Sequence, residues 1–138
     1  MRQRESVFVD SGAWIALALS QDPLHAQARQ QWDLLLSAGA KLHTSVPVLI
    51  ETFTFLDRNA NRDVALAWKE AIYKPGTVEV LPCELRDLER SWEYFRRSDL
   101  HKLSAVDATS FTIMKRARIR IAYTFDHHFA VVGFRLVA

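Results

Sequence analysis

Short apolar, β-branched runs alternate with helical segments along almost the whole chain, and this alternation limits the possible folds more than any other feature. Ser6-Val7-Phe8-Val9 is such a run, and Asp10-Ser11-Gly12 supplies the turn and cap residues that open a helix through Leu17. Asp22-Pro23 predicts a second helix with proline in its first turn, passing Ala26, Trp32 and Leu36 to a stop near Gly39. Lys41 to Thr44 reads as a strand. Ser45 then caps a helix that has Pro47 in its first turn and carries Leu49, Ile50, Glu51, Phe53, Phe55 and Leu56. Arg62 to Tyr73 is a further helix, Lys74-Pro75-Gly76 breaks it, and Thr77 to Leu81 alternates as a strand.

Leu85, Leu88, Trp92, Tyr94 and Phe95 recur at steps of mostly three and four, predicting a helix with a wide apolar face and Arg96-Arg97 near its end. Leu103-Ser104-Ala105-Val106-Asp107 opens the next helix, Arg120 to Phe125 is a strand, and after a short loop Gly133 to Val137 forms the last one. Strands alternating with helices imply parallel strands joined by right-handed crossovers, with helices on both faces of the sheet. The predicted fold is a three-layer α/β/α sandwich. No repeat or linker interrupts it, and 138 residues is close to the commonest domain size, so residues 1–138 read as a single domain.

Composition removes several function classes. Hydrophobic residues make up 49% and charged residues 25%, too apolar a mixture for a disordered chain. No apolar run reaches the roughly 20 residues needed to cross a bilayer, so no membrane role is expected. Met1-Arg2-Gln3-Arg4-Glu5 leads straight into the first strand without an export signal, and the lone Cys83 suits a reducing compartment, so a cytoplasmic location is expected.

Four acids carry the chemistry. Asp10 and Asp126 each end an apolar strand at its carboxyl end, where open parallel sheets bind their ligands. Glu51 and Asp107 lie near the starts of helices that such a sheet carries. Carboxylates brought together repel, and a hard cation such as Mg²⁺ or Mn²⁺ relieves the repulsion. Such an ion also suits phosphodiester hydrolysis. Setting four of the 16 acids aside leaves 12 against 18 cations, a balance of +6 that fits a polyanionic ligand around an acidic centre. Each acid has a structural alternative as well. Asp10 fits a helix cap, Asp107 completes a Ser-x-x-Asp capping box, Asp126 fits a turn, and Glu51, on an apolar helix face, needs either a metal or an Arg or Lys partner.

Val7-Phe8-Val9-Asp10-Ser11, Glu51 in a helix, Leu103-Ser104-Ala105-Val106-Asp107, Tyr123-Thr124-Phe125-Asp126-His127-His128-Phe129 and the closing Gly133-Phe134 together resemble the PIN-domain family. Within it the chain is similar to VapC-type toxins, and the resemblance spans nearly all of it. It implies a mostly parallel sheet of about five strands and an RNA-cleaving pocket in which Asp10, Glu51, Asp107 and Asp126 bind Mg²⁺ or Mn²⁺. It places Ser11 and Thr124 as supporting hydroxyls. It also implies an RNA substrate, a cognate antitoxin and a homodimer, although a solitary RNA-processing nuclease of the same family fits the same residues.

Beyond the quartet, Arg96, Arg97 and Lys102 precede the Asp107 helix and are candidates to contact RNA phosphates, or else a solvated helix end. Lys115, Arg116, Arg118 and Arg120 are predicted some 15 Å from the acids, at about 1.5 Å per helical residue. His127 and His128, adjacent in an extended loop, should point in opposite directions and are read as structural rather than as joint ligands. Two other readings compete. A phosphatase with an aspartyl nucleophile would want a second acid at position 12, which is glycine, and a non-catalytic RNA-binding module would use the acids only as caps.

Overall fold

The computed structural model describes residues 4–137. Five strands, β1 (Ser6–Val9), β2 (Lys41–Ser45), β3 (Glu79–Leu81), β4 (Ile121–Tyr123) and β5 (Arg135–Leu136), pair in parallel in the order β3-β2-β1-β4-β5. The helices are α1 (Ser11–Ala18), α2 (His25–Ser37), α3 (Val46–Asn59), α4 (Arg62–Ile72), α5 (Leu85–Ser91), α6 (Ala105–Arg116) and α7 (His128–Val132), with a 3₁₀ turn at Trp92–Arg96. The expected sandwich is present, and every strand pair is parallel.

β1 is the central strand because it is apolar on both sides: Val7, Phe8 and Val9 are all buried, as a strand covered on two faces must be. The chain moves outward from β1 to β2 and β3, then returns past β1 to β4 and β5. With right-handed crossovers this reversal sends α1 to α4 to one face and α5 to α7 to the other. The core accordingly takes Trp14, Val48 and Ile72 from the first group and Phe111, Met114 and Phe129 from the second. The reversal also opens a crevice at the carboxyl ends of β1 and β4, where the neighbouring connections leave in opposite directions.

Capping sets the helix starts. Ser45 Oγ accepts from the Val48 amide with Pro47 in the first turn of α3, and Asn61 Oδ1 accepts from the Val64 amide to start α4. Three expectations change. The second helix begins at His25 and not at Pro23, because Asp22 Oδ1 takes the Leu24 amide into a turn. The Leu85 helix ends at Ser91 and tightens into the 3₁₀ turn, leaving Leu85, Trp92 and Phe95 exposed. The loop before the last strand is the short helix α7, ended by Gly133 at φ +111°, a left-handed conformation that glycine adopts without strain. Met1 to Gln3, read above for an export signal, lie outside the described residues. Among those described, no helix is long and apolar enough to cross a membrane.

Candidate functional site

The Asp10 amide donates to the Tyr123 carbonyl at 3.0 Å, carrying the β1–β4 pairing one residue past the strand and fixing Asp10 beside Thr124. Thr124 Oγ1 donates to Asp10 Oδ2 at 2.9 Å and accepts from the Asp126 amide at 3.0 Å. Asp126 Oδ1 in turn accepts from the His128 amide at 2.9 Å, which starts α7. One hydroxyl therefore ties the Asp10 carboxylate to the Asp126 backbone. Asp10 stands at the N-cap position of α1, yet its side chain caps nothing: its Oδ1 is buried without a hydrogen-bond partner. The simple cap reading of Asp10 fails here.

Glu51 arrives from α3, where Ser11 Oγ donates to its Oε1 at 2.5 Å. Asp107 arrives from α6. Ser104 Oγ accepts from the Asp107 amide at 3.0 Å, but Asp107 does not return the bond, so only half of the predicted capping box forms. Its carboxyl is directed at Asp126. The supporting hydroxyls Ser11 and Thr124 are thus both in contact with the acids.

The electrostatics record what this crowding costs. Burial pushes the Asp10 carboxyl up to about 6, with Glu51 and Asp126 adding to the rise while Thr124 and the Ser11 amide oppose it. Burial and the charges of Asp10, Asp126 and Glu51 push Asp107 up to about 8. Asp126 goes the other way: burial would raise it, but the His128 amide, the facing Asp107 and the His128 side chain together hold it below the ordinary carboxylate range. Among the described residues no Lys or Arg forms an ion pair with Asp10, Glu51, Asp107 or Asp126. The alternative of a basic partner for Glu51 is therefore not met. The donor set, all hard oxygens with one buried orphan, fits a divalent cation.

The basic candidates are elsewhere. Arg96 lies 3.6 Å from Glu93, Arg97 grips Asp99 through two bonds at 2.9 and 2.7 Å, and Lys102 is exposed at φ 56°. None bonds to an acid of the site. Arg116 is structural, holding buried Asp87 at 3.0 Å and the Pro82 carbonyl. Lys115, Arg118 and Arg120 border a cavity of about 1080 Å³ with Ser6 and Arg135, at the amino ends of β1, β4 and β5, away from the acids. Trp14, Trp32 and Trp68 pack together in the core, whereas Trp92 lies half-exposed beside Phe95.

His127 and His128 do not diverge as expected. They sit on a helical turn with rings stacked 4.8 Å apart, His127 exposed and His128 buried. A ring nitrogen of His128 comes within 4.8 Å of oxygens of both Asp107 and Asp126. The sequence reading missed this placement, and its one available signal was the two-residue step from Asp126 in a capping turn.

Residues 7–135 match the PIN domain family. This chain is a PIN-domain protein. Along 129 residues it is 37% identical to the 23S rRNA-specific endonuclease VapC20 of Mycobacterium tuberculosis, covering 93% of this chain and 95% of that one. The crystal structure of VapC20, described as a toxin that cleaves the sarcin-ricin loop, superimposes with a TM-score of 0.82 at 36% identity over the same shares. The PIN fold is shared further with VapBC2 of Rickettsia felis (TM-score 0.71, 10% identity, 95% and 96% of the two chains). VapBC of Salmonella typhimurium gives 0.67 at 16% identity, covering 96% of each chain.

Proposed function

We propose that this PIN domain is a divalent-metal-dependent endoribonuclease that hydrolyses ribosomal RNA, and that it is the toxin of a toxin–antitoxin pair. The observation that carries the reading is four carboxylates gathered at the carboxyl ends of β1 and β4, with an orphaned buried oxygen on Asp10 and, among the described residues, no Lys or Arg paired with them. The likeness to VapC20 over nearly the whole chain supports the substrate class and the toxin role.

Asp10, Glu51, Asp107 and Asp126 would hold Mg²⁺ or Mn²⁺. When bound, such a cation stabilises charge on the phosphate oxygens and makes water a better nucleophile. The chain's own groups make the site ready for it. Thr124 keeps Asp10 and Asp126 at a set separation, and Ser11 turns Glu51 toward them. Arg96, Arg97 and Lys102 are exposed and would take the flanking phosphates, with Arg97 first exchanging Asp99 for one of them. An antitoxin and a second protomer both need apolar surface, and α3 and α4 leave Ile50, Phe55, Leu66 and Tyr73 exposed for contact.

The test is cleavage of large-subunit ribosomal RNA in intact ribosomes with Mg²⁺ or Mn²⁺. Asp126→Asn should slow cleavage by about 10²- to 10³-fold while its circular dichroism stays native, and a chelator should abolish wild-type cutting. Undiminished cleavage by a folded Asp126→Asn protein would sink the reading. The toxin role further requires that the neighbouring reading frame encode a short protein with a DNA-binding amino end, whose co-expression restores growth.

A further inference from the structure

We infer that the His128 imidazole donates a nitrogen to the same cation as the carboxylates, making the centre a mixed oxygen and nitrogen site. The inference rests on the metal-dependent reading above and adds a ligand to it. His128 is only 8% exposed, and its Nδ1 is closed off from solvent without a hydrogen-bond partner. That atom lies 2.9 Å from Asp126 Oδ1 but off the line of a hydrogen bond. In its neutral form the imidazole can turn this nitrogen's electron pair to the same space as the Asp126 oxygen. Adjacent ligands of a cation bound at 2.0–2.2 Å are about 3 Å apart, so this spacing is that of two donors to one ion. An Asp107 oxygen lies within 4.8 Å of a His128 ring nitrogen and an Asp126 oxygen and completes the group.

The local fold holds the ring there. The Asp126 carboxylate takes the His128 amide, which sets the first turn of α7 and folds the imidazole back over the acid. The next residue, Phe129, is fully buried with its ring 4.8 Å from Phe111, so α7 cannot swing away without opening the core. A nitrogen donor changes the choice of ion. Mg²⁺ keeps to oxygen ligands, whereas transition metals accept imidazole, so His128 should favour Mn²⁺ over Mg²⁺.

The full chain is titrated with MnCl₂ alone, and ¹⁴N coupling to the bound ion is read by pulsed electron paramagnetic resonance beside calorimetric affinities for Mn²⁺ and Mg²⁺. Wild type and His127→Gln should show a directly bound nitrogen, and His128→Gln should lose it. His128→Gln should also bind Mn²⁺ at least about 10-fold more weakly, with a smaller loss for Mg²⁺. Mn²⁺ that binds wild type without ¹⁴N coupling, or with coupling that survives His128→Gln, overturns the inference and leaves the metal-dependent reading standing. Failure of wild type to bind Mn²⁺ overturns both. If the His128 variant does not fold, wild type and His127→Gln decide together: coupling absent from wild type, or lost in His127→Gln, overturns the inference.

Discussion

Replacing Asp10 with Asn removes one charge from the centre of the cluster and keeps the side chain's shape. Burial holds this carboxyl at about 6 against an ordinary 3.8. At neutral pH it is ionised in both the folded and the unfolded chain, so without a cation it disfavours the fold by about 3 kcal/mol, at 1.36 kcal/mol per pH unit. An amide escapes that cost. Its oxygen still accepts from Thr124, and its NH₂ takes the place of the orphaned Oδ1, among carboxylates able to accept from it. The metal-free variant should therefore be about 2 to 3 kcal/mol more stable than wild type, roughly 7 to 10 °C in Tm for a chain of this length. The pH window follows from the sign. A folded-state value raised above the unfolded one gives wild type an advantage that is complete below about pH 4 and gone above about pH 6. The difference between the two proteins should therefore be small at pH 4 and full at pH 7. With Mn²⁺ added the order should reverse, because only wild type gains the binding energy. The assay is thermal unfolding in chelator and in Mn²⁺ across this range. An Asn variant less stable than wild type in chelator at neutral pH would refute the reasoning, since it would make Asp10 a structural partner and not an uncompensated charge.

Mn²⁺ affinity should rise with pH from about 6 to about 8, because Asp10 and Asp107 must both lose protons to bind; calorimetry in buffers of different ionisation enthalpy should detect proton release, and a flat profile would contradict it. Thr124→Val deprives Asp10 of a donor and the Asp126 amide of an acceptor. It should cost about 1 to 3 kcal/mol in urea unfolding and about 10-fold in Mn²⁺ affinity, and no change in either would remove Thr124 from the site. Phe111→Ala empties a buried position that packs on Tyr94 at 5.1 Å and Phe129 at 4.8 Å. It should cost about 3 to 5 kcal/mol in denaturant unfolding and loosen α7, and a loss under 1 kcal/mol would show that this aromatic cluster does not anchor the helix.

Much of the fold was legible because its signals are local. Ser45 with Pro47 and Ser104 with Asp107 mark helix starts through bonds that reach only three residues along the chain. Val7 to Val9 reads as a strand covered on both faces. α7 was not legible, since five residues, His128 to Val132, are too few to display a helical period. The tightening at Trp92 escaped for a related reason: the apolar spacing continues while the backbone changes its hydrogen bonding.

For the site, the sequence by itself determined which groups are present and placed Asp10 and Asp126 at strand ends, because strand and turn preferences act between near neighbours. Only the tertiary structure decided that β1 lies between β2 and β4, so that residues 10, 51, 107 and 126 share one crevice. It also decided that Asp107 faces Asp126 without closing a capping box, and that His128 folds over the acids while His127 faces solvent. Proximity between residues far apart in sequence comes from strand order and helix packing. The raised carboxyls of Asp10 and Asp107 likewise exist only once burial has removed water from charges that, among the described residues, have no Lys or Arg partner.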